Sequence, residues 1–358
     1  MGNTFGNFLR LTTFGESHGS AVGGILDGLP SGVQVSEQAV QAQLDRRRPG
    51  QSDLSTPRKE ADRISIHSGI ENGLSLGTPL GFTVANENRR PKDYAGFRAA
   101  PRPSHADFTY RMRYGAAASS GGGRASARET ISRVAGGAIA EQLLGQRHGT
   151  EIVAWVSSVS DIDASAQDFA AVTRAQVDGS IVRCPDEAAA GKMITAIEQA
   201  RDAGDSLGGI ITCVCRNIPA GWGDPVFDKV EAGLARAMLS IPATKGFDFG
   251  SGFAGTRMRG SQHNDPFTCR DGRLVPATNN SGGIQGGITN GAPVYFRVAF
   301  KPVATIRLPQ QTVDYEGNPV TIEGHGRHDP CVLPRAVAIV ESMAALVLAD
   351  AALAAEVK

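Results

Sequence analysis

The 358-residue sequence predicts an α+β fold. Short apolar or alternating runs suited to strands occur at residues 9–11, 21–26, 210–214 and 294–300. Apolar residues at helical spacing recur at Ile131, Val134, Ala135, Ala138, Ile139 and Leu143, and again across residues 187–203. The two kinds of segment do not alternate as a regular strand–helix–strand series, so a doubly wound parallel sheet is not expected. The length permits one large domain or two smaller ones, and neither a fixed-period repeat nor a low-complexity linker divides the chain.

Leu9 and Leu11, separated by Arg10, start a strand that runs into Phe14-Gly15-Glu16-Ser17-His18-Gly19. Residues 21–26 form the next strand. Ser36 is placed to cap a helix with Glu37 in its first turn and Val40 and Leu44 four residues apart. That helix carries Arg46-Arg47-Arg48 and stops near Pro49-Gly50, and residues 50–62 and 86–103 read as polar loops. The glycine run at 121–123 opens the clearest helix, whose N-terminus falls at 126–130. Residues 187–203 form an amphipathic helix, 210–214 a strand and 228–238 a further helix. A glycine-rich stretch, 282–291, leads into the strand at 294–300. The alanine-rich tract 336–354, after Pro334, carries Glu341 and Asp350 and reads as a buried helix, not a membrane span.

Hydrophobic content of 41% suffices for a core, and Lys+Arg 36 balances Asp+Glu 36. Without an overall positive field, nucleic acid and anionic membranes are not expected partners. The first residues lack the basic and apolar regions of a signal peptide, and Gly6 occupies the position where a myristoylation motif wants Ser or Thr. Five cysteines, an odd number in a long chain, read as reduced, buried thiols of a cytoplasmic protein. Cys213 and Cys215 would share one side of their strand.

Three clusters carry chemistry: residues 14–19, residues 121–130 and Gly326-Arg327-His328-Asp329-Pro330. Each combines glycine with groups that move protons or grip anions, which suggests one active site gathered from both ends of the chain. Gly15-x-Ser17-x-Gly19 fits the nucleophile elbow of serine hydrolases, but that turn needs a helix after it, and residues 20–26 favour a strand. The alternative makes Ser17 and His18 a proton-handling pair; taken alone, His18 would be only a hydrogen-bonded turn residue. In the second cluster, glycines and a helix start favour an anion, with Arg124 and Arg128 on either side of Ser126. No Gly-Lys-Ser/Thr follows, so this is not a P-loop. In the third, Gly324, Gly326 and Pro330 disfavour the helix that would bring His325 and His328 onto one face, so no metal site is expected. A carboxylate beside an arginine stays ionised, which suits Asp329 to act as a base. His105 lies between Arg102 and Asp107 and suits the protonation of a departing phosphate.

Together these segments resemble the chorismate synthase family. The resemblance rests on Gly-Glu-Ser-His-Gly at 15–19, Arg-Arg-Arg-Pro-Gly-Gln-Ser at 46–52, Ser-His-Ala-Asp-Phe-Thr-Tyr at 104–110 and Gly-Gly-Gly-Arg-Ala-Ser-Ala-Arg-Glu-Thr at 121–130. It extends through Ser-Ile-Pro-Ala-Thr-Lys-Gly at 240–246, Ser-Gly-Gly-Ile-Gln-Gly-Gly-Ile at 281–288, Phe-Lys-Pro at 300–302 and Arg-His-Asp-Pro at 327–330 with Ile339-Val340-Glu341. It covers essentially the whole chain and implies a single domain over residues 1–358. The implied fold is a β–α–β sandwich of antiparallel sheets around helices, assembled as a homotetramer.

The implied activity is a lyase: anti-1,4-elimination of phosphate from 5-enolpyruvylshikimate 3-phosphate to give chorismate, with reduced FMN and no net redox change. FMN reduction by NADPH on the enzyme and reduction by an external flavin reductase both remain open. The resemblance assigns phosphate protonation to His105, a proton or charge at the flavin to His18, and proton removal to Asp329 aided by Ser17 and Ser126. It assigns substrate anions to Arg47, Arg48, Arg102, Arg128 and Arg327. It assigns FMN contacts to Arg124, Ala125, Ser126, Pro242, Ala243, Gly286, Lys301, Pro302, Val303, Ala304, Thr305 and Arg327. Asp53 and Ala117 depart from the basic residues common at those positions, which removes positive charge near the pocket. His325 matches no family requirement.

Overall fold

The computed structural model describes residues 2–17, 19–52, 54, 60–86, 100–115, 122–270, 272–324 and 329–357. Two five-stranded sheets form its outer layers. The first contains β1 (Thr4–Phe5), β2 (Arg10–Gly15), β3 (Ala21–Asp27), β4 (Ile64–Ile66) and β5 (Leu80–Ala85), in the order β1-β2-β3-β5-β4. The second contains β6 (Glu151–Val159), β7 (Ile162–Asp163), β8 (Gly209–Arg216), β9 (Thr244–Phe249) and β10 (Val294–Phe300), in the order β9-β10-β8-β6-β7. Every pairing within both sheets is antiparallel. Helices α1 (Glu37–Arg47), α2 (Asp107–Tyr114), α3 (Thr130–His148), α4 (Glu187–Ala203), α5 (Val230–Leu239) and α6 (Leu333–Glu356) complete the main elements. Helix α3 packs on the first sheet and α6 on the second, and the two helices pack on each other with α1 against both. This is the expected α+β architecture, a helical layer between antiparallel sheets.

Local signals explain the elements. Ser36 accepts a hydrogen bond from the Ala39 N–H at 3.2 Å and caps α1. Helix α4 has the predicted bounds, capped by Asp186 at one end and left-handed Gly204 at the other. Helix α5 begins two residues later than its apolar spacing suggests, at Val230.

Among the strands left unmarked by the pattern reading, β5, β6 and β9 have a physical explanation. β6 is buried along nearly its whole length, so it shows no polar–apolar alternation. Its inner-face Ile152, Ala154 and Val156 lie opposite Cys215, Cys213 and Ile211 of β8. β5 does alternate, but weakly, because Gly81 and Thr83 stand between its apolar residues. β9 contains no fully buried residue.

Helix α6 would be long and apolar enough to cross a membrane, yet 89% of its most apolar window is buried inside the protein. Two of its three acids tie it to distant segments. Asp350 accepts from the backbone N–H groups of Asn7, Phe8 and Leu9 at 3.0, 2.6 and 2.8 Å. Glu341 pairs with Arg46 and accepts from Ala154 N–H at 3.0 Å. Burial alone would push the Glu341 carboxyl up, but Arg46, Arg174 and these hydrogen bonds outweigh it and hold it below its ordinary value. All five cysteines are free thiols, and Cys184, Cys213, Cys215 and Cys331 are buried. Cys269 corrects the expectation: it sits on the hairpin of Phe267–Arg270 with Arg273–Pro276 and is exposed.

Apolar side chains of both sheets and of α1, α3, α5 and α6 form one contiguous buried cluster. The α3–α6 crossing lies at its centre and depends on Gly137. A Cβ there would stand 2.4 Å from both the Cβ and the carbonyl oxygen of Ser342. No side-chain rotation relieves a clash with backbone, so Gly137→Ala should force the helices apart and destabilise the protein by about 1–3 kcal/mol. Urea denaturation measures this; an unchanged midpoint would show that the crossing tolerates a methyl group.

Candidate active site

A cavity of about 1160 Å³ gathers residues from widely separated parts of the chain. Thr13 and Phe14 come from the end of β2, and Glu16 from the turn after it. Gly123, Arg124, Ala125, Ala127, Glu129 and Thr130 come from two short 3₁₀ turns that lead into α3. The segment 240–243 before β9 and the residues Phe300, Lys301, Val303 and Ala304 at the end of β10 line another part. These two segments are tied by the Lys301 N–H, which donates to the Ala243 carbonyl at 2.9 Å. His105 enters just before α2, and Asp329 just before α6. Sequence separation is therefore bridged by the sandwich itself: the ends of β2, β10, α3 and α6 meet at one place.

Nη2 of Arg124 donates to Thr13 Oγ1 at 2.6 Å and to Asn3 Oδ1 at 3.1 Å. These are neutral partners, so among the described residues no carboxylate hydrogen bond cancels the positive charge of Arg124. Lys301 donates to the Pro302 carbonyl at 3.2 Å, and burial together with neighbouring Lys245 pushes its ammonium down from its ordinary value. Arg133, by contrast, is paired with Glu129 at 2.9 Å. The cavity lining thus includes two cations, Arg124 and Lys301, with no carboxylate hydrogen bond among the described residues.

His105 Nδ1 lies 2.7 Å from Asp107 Oδ1. Asp107 also accepts from Arg102 Nε at 2.7 Å and Nη2 at 2.8 Å, and Arg102 Nη1 reaches Thr305 Oγ1 at 3.3 Å. Burial would raise the Asp107 carboxyl, but the hydrogen bonds from Arg102 and His105 prevail and hold it well below the usual carboxylate range. Asp329 pairs with Arg335 of α6. That partner comes from the following helix; Arg327, the arginine that the sequence places beside Asp329, lies outside the described residues.

The other predicted arginines occupy different environments. Arg47 is buried, donating from Nη1 to Asp62 Oδ2 at 2.8 Å, from Nε to Thr130 Oγ1 at 3.1 Å and from Nη2 to the Ala127 carbonyl at 2.8 Å. Burial lowers its guanidinium from the ordinary value, opposed chiefly by Asp62. Arg128 is buried too, donating to Asp62 Oδ1 at 3.0 Å and the Ala85 carbonyl at 3.0 Å, with Glu60 and Asn86 as further partners. Arg102 is buried in the His105 cluster. Arg48 opens instead onto a separate groove beside Asp45 and Arg63. None of these four lines the main cavity.

Ser17 is buried behind Glu16, and the turn is held by Asn86 Nδ2, which donates to the Glu16 and Gly19 carbonyls at 2.9 Å each. Strand β3 follows directly, so the serine-hydrolase elbow, which requires a helix there, is not formed. Ser126 sits between the lining residues Ala125 and Ala127, and its Oγ accepts from the Arg128 N–H at 3.3 Å. Pro302 and Thr305 adjoin the lining segment 303–304. Gly286 stands in the turn between Ile284–Gln285 and Ile288–Thr289, apart from the lining residues. His18, Asp53, Ala117, His325 and Arg327 lie outside the described residues.

Thr13, Tyr110, Tyr114, Arg133 and Arg335 join the site or its support without having been singled out from the sequence. Thr13 carried a readable signal: a hydroxyl two residues after Leu11, on the core-facing side of a strand. The tyrosines, on a helix with no buried residue, carried none.

The sequence model of a family described as chorismate synthase matches residues 9–353. A chorismate synthase of Synechococcus sp. (strain WH7803) is 59% identical over 351 residues, covering 98% of this chain and 97% of that protein. One of Opitutus terrae (strain DSM 11246 / JCM 15787 / PB90-1) is 56% identical over 350 residues, covering 98% and 96%. Among solved structures, a crystal structure of chorismate synthase superposes with a TM-score of 0.76 at 30% identity, covering 98% of this chain and 92% of that one.

Asp62 is the shared partner of Arg47 and Arg128. Asp62→Asn keeps the shape, and asparagine accepts the left-handed backbone found there, φ 46°. It leaves two buried guanidinium groups underpaired, so stability should fall by about 3–5 kcal/mol. Chemical denaturation reads the loss; a change below about 1 kcal/mol, the range of an exposed pair, would refute the assignment.

Proposed function

The chain belongs to the chorismate synthase family, and from that premise we propose that it eliminates phosphate from 5-enolpyruvylshikimate 3-phosphate to form chorismate with the help of reduced FMN. The observation that carries this reading is the shared cavity of His105 and Asp329, with Arg124, Ala125, Pro242, Ala243, Lys301, Val303 and Ala304 around it.

The residues present fit a flavin phosphate and its ring. The volume of about 1160 Å³ exceeds the roughly 300–1,000 Å³ of a single-ligand pocket, leaving room for cofactor and substrate together. Arg124 and Lys301 supply positive charge without a carboxylate partner among the described residues. The apolar surfaces of Pro242, Ala243, Val303 and Ala304 suit a planar ring. When bound, reduced FMN would supply electron density as the bond from carbon to phosphate breaks and recover it with the hydrogen from C6, so no net oxidation occurs.

The chain's own groups then have distinct tasks. His105 donates a proton to the departing phosphate oxygen. Asp329, kept in place by Arg335, accepts a proton on its carboxylate. Ser17 and Ser126 support that transfer, and His18 places a proton or positive charge near the cofactor. Arg327 is the remaining candidate for substrate anions, because Arg47, Arg102 and Arg128 already hold carboxylates inside the protein and Arg48 opens onto a separate groove beside Asp45. A homotetramer working in the cytoplasm, drawing reduced flavin from NADPH or from an external reductase, completes the proposal.

The test is anaerobic. Purified protein with photoreduced FMN and 5-enolpyruvylshikimate 3-phosphate should release chorismate and phosphate in equal amounts. Oxidised FMN with NADPH in place of photoreduced FMN tests self-reduction. His105→Ala should lower turnover by about 10²–10⁴-fold, the contribution of a positioned general acid, while FMN binding persists. Normal turnover in that variant would remove His105 from the chemistry.

A further inference from the structure

The geometry around His105 points to Asp107 as a positioning residue for this chemistry, and to Arg102 as the clamp that holds it. This inference rests on the proposed role of His105 and adds a residue to it.

The argument is a count of donors and acceptors. His105 Nδ1 has two neighbours, Asp107 Oδ1 at 2.7 Å and Arg102 Nη2 at 3.0 Å. A guanidinium only donates, and an ionised carboxylate only accepts. The Asp107 carboxyl is held well below its usual range, so it is ionised at neutral pH. A bare Nδ1 would aim its lone pair at that carboxylate from 2.7 Å. A protonated Nδ1 donates to it. Arg102 Nη2 donates one N–H to Asp107 Oδ1 at 2.8 Å and its second lies within reach of Nδ1 at 3.0 Å, but the closer neighbour of Nδ1 is the carboxylate at 2.7 Å. The arrangement therefore selects the Nδ1–H form of the neutral ring.

Selection of Nδ1–H leaves Nε2 as the atom that gains and gives up the working proton. No described residue hydrogen-bonds Nε2, and the ring lines the main cavity with its side chain 20% exposed. Arg102 completes the device. Its fork fixes both Asp107 oxygens, and its third nitrogen reaches Thr305, next to the wall formed by Val303 and Ala304. The histidine is thus registered against the wall proposed to contact the cofactor. The family resemblance assigns Arg102 to substrate anions; its contacts make it an internal brace.

A purely local role for Asp107 is the competing account, since its Oδ2 also accepts from the Arg102 N–H at 3.2 Å and so shapes the turn before α2. The nitrogen chemical shifts of the His105 ring separate the two. They are measured on ¹⁵N-histidine-labelled full-length protein without ligand, with His105→Gln identifying the signal. At a pH high enough that the ring signals report a neutral imidazole, wild-type His105 should be mainly Nδ1–H. In Asp107→Asn the single amide oxygen is claimed by Arg102, and the Nε2–H form should appear; Asp107→Glu should restore Nδ1–H at least in part. In turnover, Asp107→Asn should lower kcat by about 10- to 100-fold, a fraction of a general acid's worth, with little change in KM.

A wild-type ring in the Nε2–H form overturns the inference, and so does an unchanged tautomer in Asp107→Asn. A tautomer change with undiminished kcat also overturns it. If wild-type protein makes no chorismate, the functional reading fails, while the ring shifts still decide whether Asp107 sets the tautomer.

Discussion

The buried pairing of Asp62 with Arg47 and Arg128 is the constraint from which the site is built. One carboxylate joins the end of α1, the 3₁₀ turns before α3 and, through Arg128, the end of β5. Arg47 then passes the constraint onward, because its carbonyl accepts from Arg335 Nε at 3.1 Å and Arg335 pairs with Asp329. Residues almost 290 positions apart are thereby held in register by charged groups that would be costly to bury singly. Their low exposure makes every member dependent on the others.

The sandwich supplies what such a network needs, a rigid frame on both sides. Helices α3 and α6 touch at the Gly137–Ser342 crossing, and Gly136 lies against Leu11 of the first sheet, where a Cβ would meet both Leu11 methyl groups at 3.0 Å. With α3 seated against β2 and α6 against the second sheet, their N-terminal ends open onto the same cavity. Side chains in the turns that line the cavity can then be well placed, since the elements on either side of them cannot shift independently. Arginine serves two purposes in this design. Arg47, Arg102 and Arg128 brace the walls from within, whereas Arg124 presents its charge to the cavity through neutral hydrogen-bond partners.

Much of this was legible along the chain. The strand at β2, the Ser36 cap, the helix at α4 and the buried helix α6 follow from alternation, capping and periodicity, because those signals are local. Glycine beside Ser, His, Arg or Asp also marked three segments, and described residues of all three line the same cavity. β6 was not, because a strand covered on both faces carries no alternation. Tyr110 and Tyr114 were not, because their helix has no apolar face turned to the core.

Residue types and their local spacing established the α+β class and the family likeness, both properties carried by neighbouring residues. Which arginine faces a ligand and which is walled in could not be read there. Arg124 and Arg128 stand four residues apart in the same motif, yet one lines the cavity and the other is enclosed by Glu60, Asp62, Asn86 and Ala85. Those partners come from a distant segment brought in by folding. A guanidinium's role depends on the acceptors around it, and the acceptors are assembled only when the sheets and helices close on one another.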